Sequence, residues 1–533
     1  MKKSVLLFIF ISCIIPKLII AVPGDIIESI TAPGACPTGL AWDGDGLWVA
    51  DRKTDTLYKI DPINGEVEES IPSPGFWPMG LTWDGEFLWN VDLEEEAIYK
   101  IDPKSKQIIL SISAPCPSPR GLAWDRTSLW VCDDRLDMVY NISTEDGTII
   151  SSFASPSSNP TGLSYDGKYL WIADRIKDEI YMVTPDKGDV IVVLDSVAPY
   201  IQGLTWDGQY LWAVDYQTDK IYKIKIIDDD YYSVKDEHNT IMEYTQEFRN
   251  YGPGVVNKLD FYLAVPQDLN NQKIISDIEY NPEPSGFLTD QWGQTVAHYT
   301  FTDIPAPEII RASMKVKAKI FKIHYYIFPE KVGELNEIPK GIKDTYLVDG
   351  TKYLINNPII KEAVEQAVGN EKNPYWIARK IFKYVIDHIK YELARGWDVA
   401  PAVLERGTGS CSEYTFVFIA MCRAAGLPAR YAGAVGIRGD DASLDIVFHR
   451  WAEVYLPNYG WIPVDPSRGD SESPRNQALA FGVLGGKHLI TTLGGGGSKY
   501  LAWRYNSAAE WTFKGKVKVH LENIAEWEPL EKE

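Results

Sequence analysis

The chain of 533 residues carries 53 Lys and Arg against 74 Asp and Glu, a net charge of −21, with 45% hydrophobic and 24% charged residues. Such a length calls for several domains of roughly 100 to 200 residues each, and the acidic balance argues against nucleic acid or anionic lipid as partners. Cys36, Cys116, Cys132, Cys411 and Cys422 are too few for a disulfide framework, although a bridge among the first three stays open, and no Cys/His spacing fits a zinc site.

Residues 1–22 begin with two lysines, continue as an apolar run and reach a small residue at Ala21, the pattern of a secretory signal peptide. The protein is therefore expected to be secreted or extracytoplasmic, in contact with a membrane only if this segment stays uncleaved. No later segment reaches the ~18 consecutive apolar residues of a membrane helix.

Residues 23–227 repeat. Gly39, Gly80, Gly121, Gly162 and Gly203 each open a Gly-Leu-x-Trp/Tyr-Asp motif at a constant interval of 41, and a Leu-Trp pair, an aspartate (Asp51 to Asp215) and a tyrosine (Tyr58 to Tyr222) keep the same period. Short alternating strands at that period predict a five-bladed β-propeller. The last repeat lacks a fourth strand while Asp25 to Ile30 is an orphan copy of one, so the N-terminus is expected to complete the blade begun at Gly203 and leave no open edge. Residues present in every blade are read as packing and turn residues. Asn141-Ile142-Ser143 forms a glycosylation sequon.

Residues 228–244 read as an acidic linker, and the alternation over 245–335 as an antiparallel β-sandwich without a catalytic set. The last unit, 343–533, is expected to be α+β. Its first helix, 374–392, buries one face, and His388 on it reads as structural. In the stretch GSCSEYTFVFIAMCRAAGLPAR, Ser410 and Glu413 form a capping box, Cys411 becomes the first helical residue and Gly426-Pro428 end the helix. Unpaired N–H groups and the helix dipole lower the pKa of a thiol placed there, whereas Cys422 falls in the apolar core. His449, in a strand expected over 445–456, and Asp465, closing a second strand after the turn at 457–460, are placed to act as base and orienting acid. Trp397 reads as a packed aromatic with an alternative role beside the acyl group. The glycine run 494–497 precedes no Lys-Ser/Thr, so it is no phosphate loop, and it suits a flap; no cofactor or metal is expected.

The blocks GSCSEYTFVFIAMCRAAGLPARYAGAV, HRWAEVYL and GWIPVDP together resemble the transglutaminase-like superfamily, whose papain-like core uses Cys, His and Asp in this order. The resemblance implies Cys411 as nucleophile, His449 as base and Asp465 as orienting acid. Arg450 departs from it, standing where many members carry a small residue. The NYGP and TDQWGQ segments are similar to the domain that precedes the core in many such proteins, and the repeats resemble Vgb- and NHL-type propellers in general form.

These readings point to an exported cysteine-dependent acyl-transfer enzyme acting on protein or peptide amides through a thioester, with hydrolysis favoured over cross-linking. The propeller would dock a substrate, a cell-surface polymer or a partner protein. The alternative is an exported binding or scaffold protein whose last domain is catalytically silent.

Overall fold

The computed structural model describes residues 22–227, 231–393, 396–439 and 442–530; the segment expected to be a signal peptide lies outside them, apart from Val22. The first unit consists of five four-stranded antiparallel sheets. Their first-motif strands, Pro37–Trp42, Pro78–Trp83, Pro119–Trp124, Pro160–Tyr165 and Ile201–Trp206, touch one another in sequence, and the last returns to the first. This is propeller architecture, and it explains the repeated glycine. A Cβ on Gly39 would stand 2.1 Å from the Met79 carbonyl, one on Gly121 2.5 Å from the Leu163 nitrogen, and one on Gly203 2.8 Å from the Leu40 nitrogen. No side chain fits where these backbones meet. As expected, Ile26–Thr31 pairs with Lys220–Ile224 and completes the last sheet.

The other repeated residues are structural. Each Leu-Trp tryptophan is buried and donates its indole N–H to the aspartate five residues earlier, from Trp48 to Asp43 at 2.9 Å through Trp212 to Asp207 at 2.8 Å. Asp51 accepts the backbone N–H groups of Cys36, Lys53 and Thr54, so the periodic carboxylate ties the turns of its own sheet. The sequon at Asn141 is closed: its amide is buried and donates to Ser128 Oγ at 2.7 Å. The five cysteines among the described residues are free thiols.

Two expected boundaries move. The linker ends before Tyr232, because Tyr232–Ala264 is one long strand. Thr240, Met242, Tyr244 and Gln246 alternate inward along it, and the exposed run Lys235, Asp236 and Glu237 before them reads as a solvated linker. The expected sandwich is one folded sheet: Tyr232–Ala264 pairs Glu308–Tyr325 along its first half and Thr295–Ile304 along its second, with Ser507–Pro529 along the opposite edge from Thr240 to Leu263. Register shifts around Asn250 to Lys258 bend the strand. Met242, Tyr244 and Phe248 of its first half thereby share a core with Leu259, Phe261 and Leu263 of its second. Ser507–Pro529, assigned from sequence to the last unit, thus completes the middle one, and it pairs Leu444–Asp445 as well.

Between these two parts sits an α+β unit. Its four-stranded antiparallel sheet has the order Gly460–Val464, His449–Leu456, Ala429–Gly436, His488–Gly494. The helix Cys411–Ala424 is buried on every side down to Arg423 and packs on the strand His449–Leu456. The helix Pro374–His388 ends earlier than its pattern suggested, with His388 exposed and stacked on Tyr384 at 3.8 Å. The glycine run is no free flap: the Gly495 and Gly496 backbones lie too close to Trp292 and Trp503 to admit a Cβ, and Gly496 accepts the Trp292 indole at 3.0 Å.

Candidate active site

The thiol is positioned by its helix start. Glu413 is buried, accepts the Ser410 N–H at 2.9 Å, and also receives the Asp398 N–H at 3.0 Å and the Arg406 guanidinium at 2.8 Å. One carboxylate therefore fixes both the helix cap and the loop before it. Cys411 follows as the first helical residue, 8% exposed. First-turn N–H groups have no carbonyl partner inside a helix, so this end favours negative charge.

The expected strand over 445–456 is two pieces. Leu444–Asp445 pairs away toward Ser507–Pro529, the chain turns at Phe448 with φ 60°, and a fresh strand begins at His449. Asp445 holds this turn by accepting the Gly436, Val447 and Phe448 N–H groups. His449 Nε2 lies 2.7 Å from Asp465 Oδ2, and Asp465 accepts Ser467 Oγ at 2.7 Å and the Arg468 N–H at 3.1 Å through its other oxygen. The thiol lies near enough to His449 and to the Arg450 backbone N–H for both to act on its ionisation. The structure thus brings Cys411, His449 and Asp465 together in the expected sequence.

Their electrostatics reinforce one another. Burial alone would raise the Cys411 thiol, but the hydrogen bond and charge of His449, with the Arg450 N–H, outweigh it and bring the pKa below the ordinary value. Burial would likewise lower His449; the Asp465 charge and hydrogen bond, with the contribution of Cys411, raise it to about 10. Burial opposes ionisation of Asp465, yet His449, Ser467 and the Arg468 N–H hold it at about 2. The two shifts run toward thiolate and imidazolium, a nucleophile next to a proton donor. Cys422, on the same helix, has no such partner, and burial drives its pKa well up.

Arg450 is fully buried, its guanidinium 4.3 to 5.0 Å from the ring centres of Tyr505, Trp397, Tyr431 and Phe416. Nη2 donates to the Trp503 carbonyl, while Nε and Nη1 have no partner among the described residues. Trp397 is therefore a packed aromatic, half-exposed and stacked on Tyr505. Tyr505 reaches Ser412, and burial with the charge on Cys411 pushes its hydroxyl pKa up. Sequence reading missed Tyr505 and His488, whose ring centre is 5.6 Å from that of His449. Each comes from a segment remote in the chain, and only the crossing of strands brings it here. Among the described residues no group of three His, Cys, Asp or Glu could hold a metal ion, and no helix is long and apolar enough to cross a membrane.

Residues 361–466 match the transglutaminase-like superfamily model, so the part of the chain holding Cys411, His449 and Asp465 is a transglutaminase-like domain. An uncharacterised protein of Haemophilus influenzae is 31% identical over 156 residues, covering 24% of this chain and 42% of its own length, so the chain spans under half of that curated relative. Among solved structures, a candidate cysteine protease from Cytophaga hutchinsonii is similar at 15% identity and TM-score 0.41, covering 57% of this chain and 94% of its own. Glutaminyl cyclase from Myxococcus xanthus follows at 13% and 0.35, over 39% and 98%. A catalytically inactive variant of virginiamycin B lyase from Staphylococcus aureus is similar at 21% and 0.27, over 37% and 68%. At these scores the fold assignment rests on the strand pairing itself.

Proposed function

We propose that the protein is a cysteine-dependent acyl-transfer enzyme acting on protein or peptide amides, with Cys411 as nucleophile, His449 as acid and base, and Asp465 as orienting acid. The thiolate forms a bond to the amide carbonyl carbon, His449 gives its proton to the departing nitrogen as the C–N bond breaks, and a thioester remains. Water, deprotonated by His449, then releases the acid and restores the thiol. First-turn N–H groups at Cys411 offer donors to the oxyanion. The observation that carries this reading is the imidazole held between sulfur and carboxylate, with thiol and imidazole pKa values displaced in opposite directions. Hydrolysis is proposed over cross-linking, and a cavity of about 370 Å³ opens beside His449 and Asp465.

The cyclic packing of five sheets supports a closed five-bladed propeller that docks a substrate or partner. Export follows in this proposal from the N-terminal apolar run.

The test is to incubate wild type and Cys411→Ala with a glutamine-containing protein, with and without a primary amine, and to read the products by mass spectrometry. Cleavage or deamidation by wild type alone is the expected result. Amine incorporation would reassign the acceptor, and an unchanged substrate would leave the silent-domain binding protein in its place.

A further inference from the structure

We propose that the cavity beside His449 is a carboxylate-binding subsite, so that the substrate of the proposed acyl transfer is an acidic peptide. This rests on the reading of Cys411 and His449 given above and adds the substrate class. The walls of the cavity are His449 and Asp465 on one side, Arg438, Arg468, Lys487 and His488 around them, and Trp451, Val483 and Leu484 as the apolar part. Besides His449, three cationic side chains, Arg438, Arg468 and Lys487, line the cavity with a single acid, in a protein whose acidic residues outnumber its basic ones, 74 to 53.

That acid is already satisfied, since Asp465 spends its oxygens on His449, Ser467 and the Arg468 N–H. Arg438 is committed to buried Asp445 at 3.0 Å and to the Phe448 carbonyl at 3.2 Å. Arg468 and Lys487 are exposed and have no acidic partner among the described residues; Lys487 donates to the Gly439 carbonyl at 3.0 Å. Two uncompensated cations thus stand at the mouth of the cavity.

A second observation comes from its wall. Trp451 is 1% exposed, lines the cavity, and its indole N–H has no acceptor among the described residues. A buried donor left unsatisfied costs stability; an entering carboxylate would meet Arg468 and Lys487 with its charge, and would reach the indole N–H, which has no open surface, only if the wall around Trp451 gives way. His488 is kept neutral by burial and by the charge of His449, which push its pKa down to about 3. Its ring therefore serves as a neutral hydrogen-bonding wall. Val483 and Leu484 would take the methylenes that carry the acid.

The electrostatic test needs no known substrate. Iodoacetate and iodoacetamide alkylate the same thiol and differ in charge, so the ratio of their rates at Cys411 reads the local potential, with His449 common to every variant. Arg468→Gln with Lys487→Gln in the full chain should lower the iodoacetate to iodoacetamide ratio about three- to tenfold at low salt, and added NaCl should shrink the difference. A ratio unchanged within about twofold overturns the subsite. The catalytic reading fails separately, as an ordinary pH dependence of the iodoacetamide rate alone.

A second arm measures protection of Cys411 from iodoacetamide by three acetylated glutamine peptides: one with an adjacent glutamate and an amidated end, one neutral with a free terminal carboxylate, and one neutral and amidated. Preferential protection by the first assigns a side-chain acid, and by the second a chain terminus. Equal protection by all three, or by none, overturns the proposal.

Discussion

At the scale of single residues, the coupling of Cys411 to His449 sets the pH behaviour. The thiol is lowered and the imidazole raised to about 10, so the ion pair forms as pH rises through the thiol value and disappears as pH passes about 10. Asp465 stays ionised down to about 2, which makes the acid limb a property of sulfur and not of the carboxylate. Alkylation of Cys411 by iodoacetamide followed against pH should show that early rise, and His449→Ala should move it upward by at least a unit. An unshifted profile in the variant would separate the thiol from the imidazole. Arg450 makes a different prediction. A buried cation with two unpaired nitrogens carries a desolvation cost that an apolar side chain of similar volume avoids. Arg450→Met should therefore match or exceed wild type in urea denaturation, whereas Arg450→Ala, which leaves a hole among four rings, should lose about 3 kcal/mol.

At the scale of elements, the glycine ring of the propeller is the sharpest claim. Gly121→Ala would force a Cβ to 2.5 Å from the Leu163 nitrogen, and a loss of about 1–3 kcal/mol is expected in thermal unfolding. Gly286, in the strand Gly286–Thr289, has open space around it and no positive φ, so Gly286→Ala should be neutral or slightly stabilising. A similar loss in both variants would mean that the close approach is not what keeps Gly121. The same scale shows what could be read in advance. The propeller was legible because its period repeats five times, and the nucleophile helix because its cap, apolar run and Gly-Pro stop agree. The strand at Tyr232 was hidden because its first part carries the exposed charges Lys235, Asp236 and Glu237, which is also how a solvated linker looks. The break at Phe448 was hidden because β-branched and aromatic residues continue across it. Cys411, His449 and Asp465 were visible through their local motifs, whereas His488 and Tyr505 come to the site from segments remote in the chain.

At the scale of the whole molecule, the propeller is seated on the last unit by one of its own edges. The outer strand Val190–Asp195 is largely buried and packs against the helix Pro474–Leu479, while the equivalent strand Ile149–Ala154 faces solvent over most of its length. Arg475 grips Glu179, itself buried, with two bonds of 2.5 Å, and Arg379 donates to the Val190 carbonyl at 2.9 Å. Arg475→Ala leaves that carboxylate without its cation. Limited proteolysis should then cut between residues 224 and 232 faster than in wild type, and equal rates would show that the apolar seat alone holds the units together.

Ser507–Pro529, which closes the middle sheet, leaves the ribosome long after its partner Tyr232–Ala264. During translation that partner waits with one flank bare while the whole transglutaminase-like insert is made, and the pocket before His449 lacks the anchor that Leu444–Asp445 finds on the late strand. Nucleophile and base are synthesised before the chain is finished, and the pairing of Leu444–Asp445, next to the turn that aims the imidazole, is completed only when the last strand arrives.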